Sequence, residues 1–287
     1  MFNPWSPECA KERLPLVLAA VGARRSGKST ALMNLVYRSF DHFDLVIAFV
    51  GSAACCPVLE AMMERHPKWD TRFFFDAWNQ PLIDKLLAQQ QTLLKEGKER
   101  NVLILMDDVI LTSKAADQLA HMCMRGRHFR VSVFMAAVSY TSISKRARRS
   151  LDYLLCFSCP MTGDRKVLSW EYASNSRTAD FGLKNLGPNE CVVFETGKQE
   201  LHNWRAELLE PSMFRNGRLP VLARSGTQPL RPSEGQWAHR RIGTPCDQSR
   251  TECPGSGPAS PRGPEPTDHL DEPPPGSDGE CPPEALA

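Results

Sequence analysis

One nine-residue stretch limits this chain more than any other. Residues 22–30 read Gly-Ala-Arg-Arg-Ser-Gly-Lys-Ser-Thr and satisfy G-x-x-x-x-G-K-[ST] at every fixed position. The apolar run LPLVLAAV at 14–21 precedes it. Residues 29–40 follow with helical spacing, placing Leu32, Leu35 and Val36 on one side. A buried strand, a glycine turn and an amphipathic helix, in that order, make a cradle for phosphate. The glycines let backbone N–H groups curl around oxygens, and the helix N-terminus adds partial positive charge. Gly22, Arg25, Ser26, Gly27, Lys28, Ser29 and Thr30 are therefore the expected nucleotide contacts. Lys28 would reach the β- and γ-phosphates of ATP, and the Ser29 hydroxyl would ligate Mg²⁺.

A second element belongs to the same chemistry. Residues 102–108, VLILMDD, are five apolar residues ending in two carboxylates. Parallel strands present their C-terminal ends at the ligand edge, so these acids are expected beside the phosphate turn. Asp107 would serve the Mg²⁺ shell, because hard cations take oxygen ligands. Asp108 would orient the attacking water, although it would equally serve as N-cap of the next helix. A basic stretch follows. Arg125, Arg127, His128, Arg130, Lys145, Arg146, Arg148 and Arg149 lie within 25 residues. A solvated face accounts for such a run. The functional reading assigns most of it to DNA phosphates and Arg148, just before a strand and close to the ligand edge, to a neighbouring subunit's γ-phosphate.

Between 14 and 210 the pattern alternates. Apolar strands are expected at 14–21, 45–50, 102–106, 130–138 and 153–157, with helices between them and a hairpin over 191–206. Such alternation implies an α/β fold, a mostly parallel sheet flanked by helices and closed by a C-terminal β-hairpin. Residues 1–13 read as an N-terminal extension. Residues 211–287 hold 15 of the 23 prolines, 9 of the 18 glycines and no lysine, the composition of a disordered tail. That leaves 27 basic against 23 acidic residues for 1–210, too mild a charge to force a nucleic-acid reading alone. No apolar run approaches the ~18 residues of a spanning helix, and residues 1–13 lack a signal pattern. The expectation is an intracellular protein, neither secreted nor in a membrane, with its ten cysteines reduced. Cys156 and Cys159 have C-x-x-C spacing, which alone favours free thiols over zinc. Trp69, Phe73, Phe74, Phe75 and Trp78 are expected to pack as core rather than stack on bases.

The order GARRSGKST, LILMDD, RGRHFRVSVFMAAVSY and RARRSLDYLLCF resembles the FtsK–HerA superfamily of P-loop NTPases. It looks most like the viral genome-packaging branch of poxviruses and Polinton- or adintovirus-like elements. The likeness runs from about Leu14 to Leu208 and includes the hairpin CVVFETGKQELHNWRAEL. It implies an ATP-driven double-stranded DNA translocase that packages a viral genome into capsids. It further implies ATP and Mg²⁺ as cofactors, a ring homo-oligomer (usually a hexamer) and assembly in the host nucleus or cytoplasm. Lys28, Asp108 and Arg148 carry over as catalytic residues, and Ser29 and Asp107 as metal ligands. One position departs. The family places Gln at the end of the fourth strand to sense γ-phosphate, where this chain has Val138 followed by Ser139. Either Ser139 takes over part of that role or hydrolysis is weakened. Two other readings stay open at the level of sequence: a P-loop kinase or small NTPase acting on a soluble substrate, and a nucleotide-gated adaptor whose tail recruits capsid proteins.

Overall fold

The computed structural model describes residues 3–51, 56–172, 183–184, 186–198 and 200–215. The expected tail beyond 215 and most of a helix expected over 170–184 lie outside them.

The strands are β1 (Asn3–Pro4), β2 (Val17–Val21), β3 (Leu45–Val50), β4 (Phe74–Phe75), β5 (Val102–Asp107), β6 (Val131–Ala137), β7 (Tyr153–Cys156), β8 (Glu190–Glu195) and β9 (Glu200–Arg205). The helices are α1 (Glu8–Lys11), α2 (Lys28–Arg38), α3 (Pro57–Arg65), α4 (Gln80–Lys95), α5 (Ser113–Arg125), α6 (Lys145–Arg148), α7 (Thr162–Tyr172) and α8 (Pro211–Arg215). Local chemistry sets several helix starts. Asn79 Oδ1 accepts from the Leu82 N–H at α4, Thr112 Oγ1 from Ala115 N–H at α5, and Ser144 Oγ from Ala147 N–H at α6.

The nine strands form one sheet in the order β1-β9-β8-β7-β2-β6-β5-β3-β4. From β7 through β4 every pairing is parallel, whereas β8 runs antiparallel to β7 and to β9. Every residue of β2 is buried. Leu18 and Ala20 face one core, and Val17, Ala19 and Val21 face the other. A strand covered on both faces needs a continuous apolar run, which is why 14–21 shows no alternation. The aromatic group divides between the layers: Trp69 joins the first core, and Phe75 and Trp78 pack on Phe49 in the second, at 5.7 and 5.1 Å between ring centroids.

Residues on the far side of both expected boundaries touch the folded domain. Residues 3–5 are tied to the sheet. β1 pairs with β9, and Trp5 is buried against Tyr153 and Trp204. At the other end, Pro211–Arg215 form α8, and Phe214 is buried, edge-on to Tyr37 of α2. At each end a single buried aromatic makes the contact, which composition does not register.

Candidate functional site

The turn between β2 and α2 has the backbone that its glycines allow. Gly22 and Gly27 take φ values of 149° and 108°, and Arg25 sits at 60°. A side chain at Gly22 would lie 2.8 Å from Cβ of Phe157, so the turn packs directly on the segment after β7. The Ala23 N–H donates to the Ser158 carbonyl at 2.9 Å. Arg165 of α7 supports that segment from behind by donating to the carbonyls of Cys159 and Pro160, both at 2.7 Å. Helix α2 starts with no side-chain cap, which leaves its first N–H groups open to an anion. The Ser26 hydroxyl oxygen is buried with no partner among the described residues. Lys28 Nζ donates back to the carbonyls of Gly22 at 3.0 Å and Ala23 at 2.7 Å, so its ammonium lies inside the turn. Arg25 and Ser29 are exposed, and Thr30 is half-buried in the first turn of α2.

The acidic pair is at the same edge. Asp107 ends β5 and is buried, while Asp108 is exposed just beyond it. The Ser29 side chain hydrogen-bonds the Asp107 carboxylate, and the charge of Asp108 stands close by. Burial pushes the Asp107 carboxyl above its usual range; Ser29 works against that shift, and the Asp108 charge adds to it. Burial also pulls the Lys28 ammonium below its ordinary value, opposed by both carboxylates. Phosphate turn and acidic pair therefore share one electrostatic site. Uncapped amides, a half-buried cation, an unpartnered hydroxyl and adjacent oxygen donors fit a triphosphate with a hard divalent cation.

Two residues of this site escaped the sequence reading. Asp108 occupies the left-handed region with φ 54°, which Asp tolerates better than most residues. Gly51, at the end of β3, makes room for it: a Cβ there would overlap the Asp108 carbonyl oxygen. Asn189, just before β8, is also left-handed, at φ 59°. A Cβ at Gly27 would lie 2.7 Å from its Cα and 2.5 Å from its Oδ1. The Gly-Pro-Asn run at 187–189 signals a turn, but nothing local places that turn on residue 27.

Arg148 is elsewhere. It lines a cavity with Leu151, Thr196 and Trp170, and Leu151 lies at the end of β7 opposite the phosphate turn. Its guanidinium pairs with Glu171 at 3.3 Å and lies 4.7 Å from the centre of the Tyr140 ring. The expectation of Arg148 close to the ligand edge is corrected: α6 is a single turn that carries the chain back toward the start of β7. Arg127 and Arg130, at the beginning of β6, occupy that opposite edge too, paired with Asp152 and Glu99. Val138 lies just past β6 and is half-exposed in a pocket with Asp108, Ile110 and Ile143. The Ser139 hydroxyl donates to Asp164 at 2.9 Å. Asp164 is buried and collects donors, including Thr141 Oγ1 at 3.0 Å. A third cluster, Glu195, Glu200 and His202, has metal-ligand composition. Arg13 at 2.8 Å and Lys198 at 3.1 Å already neutralise Glu195, which disfavours a cation there.

Residues 73–170 match the family described as Poxvirus A32 protein. The matched stretch takes in Asp107, Asp108 and Arg148 but stops short of the phosphate turn. In fold, the chain is similar to the DNA-packaging ATPase B204 of Sulfolobus turreted icosahedral virus, with a TM-score of 0.53, 12% identity, and coverage of 68% of this chain and 99% of that one. It is also similar to the cytoplasmic domain of the type VII secretion ATPase EccC of Thermomonospora curvata, with a TM-score of 0.50, 15% identity, and coverage of 75% of this chain and 30% of that one. No curated protein matches in sequence. By its motifs, by the A32 match and by its P-loop fold, the chain resembles the viral genome-packaging ATPases of the FtsK–HerA superfamily.

Proposed function

We propose that this protein is an ATPase that drives double-stranded DNA into a viral capsid. One observation carries the reading. Ser29 reaches Asp107, and both aspartates act on Lys28, so phosphate and carboxylate chemistry meet at a single edge. Lys28 and the amides at the start of α2 bind the triphosphate and withdraw charge from its terminal oxygens. Asp108, exposed at the rim, orients a water for attack. Ser29 and Asp107 are the oxygen donors for Mg²⁺, which would neutralise charge developing on the phosphates. With Ser139 committed to Asp164, the γ-phosphate lacks a polar sensor at the end of β6, and hydrolysis without DNA should be slow.

The A32 match and the B204 likeness support the motor reading over other uses of the same site. Double-stranded DNA as partner, a ring of copies (six in the family), contact with capsid proteins through the tail and action inside the host cell, in nucleus or cytoplasm, are parts of the proposal. Among the described residues no helix is long and apolar enough to cross a membrane. The test is ATP turnover with and without double-stranded DNA. DNA should raise the rate of the unaltered protein, and Lys28→Ala and Asp108→Asn should reduce it to background. Protein that binds ATP yet hydrolyses none under either condition would overturn the motor reading. A P-loop kinase on a soluble substrate has one observation in its favour. An apolar pocket of about 350 Å³ opens beside Asp108, lined by Met106, Ile110, Ala137 and Ile143 among others. A turnover rate indifferent to DNA would favour it.

A further inference from the structure

The phosphate turn lies between two flanks of the sheet. On one side, two strands away through β6, β5 delivers Asp107 and Asp108. On the other, two strands away through β7, antiparallel β8 begins at the same edge, because Val192 pairs with Cys156 while Glu195 pairs with Tyr153 at the far end. The acidic pair marks where the terminal phosphate belongs. A nucleotide held along the turn must then extend its nucleoside toward the β8 flank. The turn that precedes β8 waits there, and its last residue is Asn189.

That turn is held in place on three sides. The Glu190 carboxylate accepts from the Gly187 N–H at 2.9 Å, and the Glu190 N–H donates to the Gly187 carbonyl at 3.2 Å. The Asn189 carbonyl accepts from the Ala206 N–H at 2.9 Å. The Asn189 backbone is thereby fixed in the left-handed region at φ 59°, a conformation costly for most side chains. Yet the amide of Asn189 makes no hydrogen bond to any described residue, although its Oδ1 lies against Gly27. The carboxamide is half-exposed and stands beside the phosphate turn. A carboxamide offers one donor and one acceptor side by side, the complement of the N6 amino group and N7 of adenine.

We propose that Asn189 is the base-reading residue of the nucleotide site and makes it prefer adenine over guanine nucleotides. The inference rests on the nucleotide-binding part of the reading above and is independent of hydrolysis and of DNA.

Equilibrium binding of fluorescent ATP and GTP analogues to the full chain tests it, with Asn189→Gly and Asn189→Asp as variants. Both replacements tolerate positive φ, so the turn keeps its backbone. Asn189→Gly should bind the ATP analogue about tenfold more weakly and lose most of its preference over GTP, as expected for one lost bidentate contact. Asn189→Asp should also weaken ATP, because a carboxylate cannot donate to N7. Thermal unfolding of each variant without nucleotide should match the unaltered chain. Variants that bind ATP as tightly as the parent, with the same preference over GTP, would overturn the inference and leave the motor reading standing. Loss of preference in a protein that shows no DNA-stimulated hydrolysis would support the inference and remove the motor.

Discussion

Asp107, proposed above as an Mg²⁺ ligand, sits against the interests of the fold. Its carboxyl is raised above the usual range by burial, so the native state holds a proton there more readily than the unfolded chain does. The stability tied to that proton is fully present below the unfolded carboxylate range and is lost as pH rises through the raised native value. Above that native value the buried carboxylate is charged and works against folding. Asp107→Asn should raise the midpoint of thermal unfolding by a few degrees at pH 7, with the gain shrinking toward pH 4, while abolishing ATP turnover. A flat difference across that range would refute the assignment. Gly51 is the steric counterpart. Its missing Cβ leaves room for the Asp108 carbonyl, and Gly51→Ala should move that residue away from its left-handed position. Turnover should fall at least about tenfold with ATP affinity nearly unchanged, as the proposed role of Asp108 on the water rather than on phosphate binding requires. Lys28, Ser29 and both aspartates are legible in the chain because each belongs to a short contiguous motif. Gly51 and Asn189 are not, since each acts on a residue distant in sequence.

At the scale of elements, α7 and the turn after β6 clamp an arginine of α6. Arg148 is mostly buried between the Glu171 carboxylate and the Tyr140 ring, and the Tyr140 hydroxyl also donates to Glu171. Removing Arg148 leaves a partly buried carboxylate short of its cation. Arg148→Ala should cost about 1–2 kcal/mol in urea unfolding. A loss of hydrolysis with unchanged stability would instead restore the role across a subunit boundary that sequence order suggested. The strands and most helices were foreseeable from apolar runs and capping residues. Strand β1 and helix α8 were not, because each is short and owes its existence to one aromatic side chain, Trp5 or Phe214, finding a cavity in a distant element.

For the whole molecule, the sheet separates two chemistries. The C-terminal edge of the parallel strands holds the glycine turn and the carboxylates, and Arg127 and Arg130 occupy the opposite edge. Both arginines are paired with acids in the isolated chain, so in the proposed motor a DNA phosphate would compete with Asp152 and Glu99 for them. DNA stimulation of turnover should weaken steeply between 50 and 200 mM salt, as counterion release requires, whereas turnover without DNA should change little. Equal salt dependence of both rates would count against a phosphate-tracking surface.

Composition and contiguous pattern settled the α/β class, the phosphate turn and the acidic pair, because backbone geometry, burial and ligand chemistry there are encoded within stretches of ten residues or fewer. Tertiary packing settled which partners those stretches meet. It set Asn189 against Gly27, turned Ser139 toward Asp164 and carried Arg148 away from the ligand edge. Those choices depend on strand order and on how β6 and β7 enter and leave the sheet, and no local pattern in the chain carries that information.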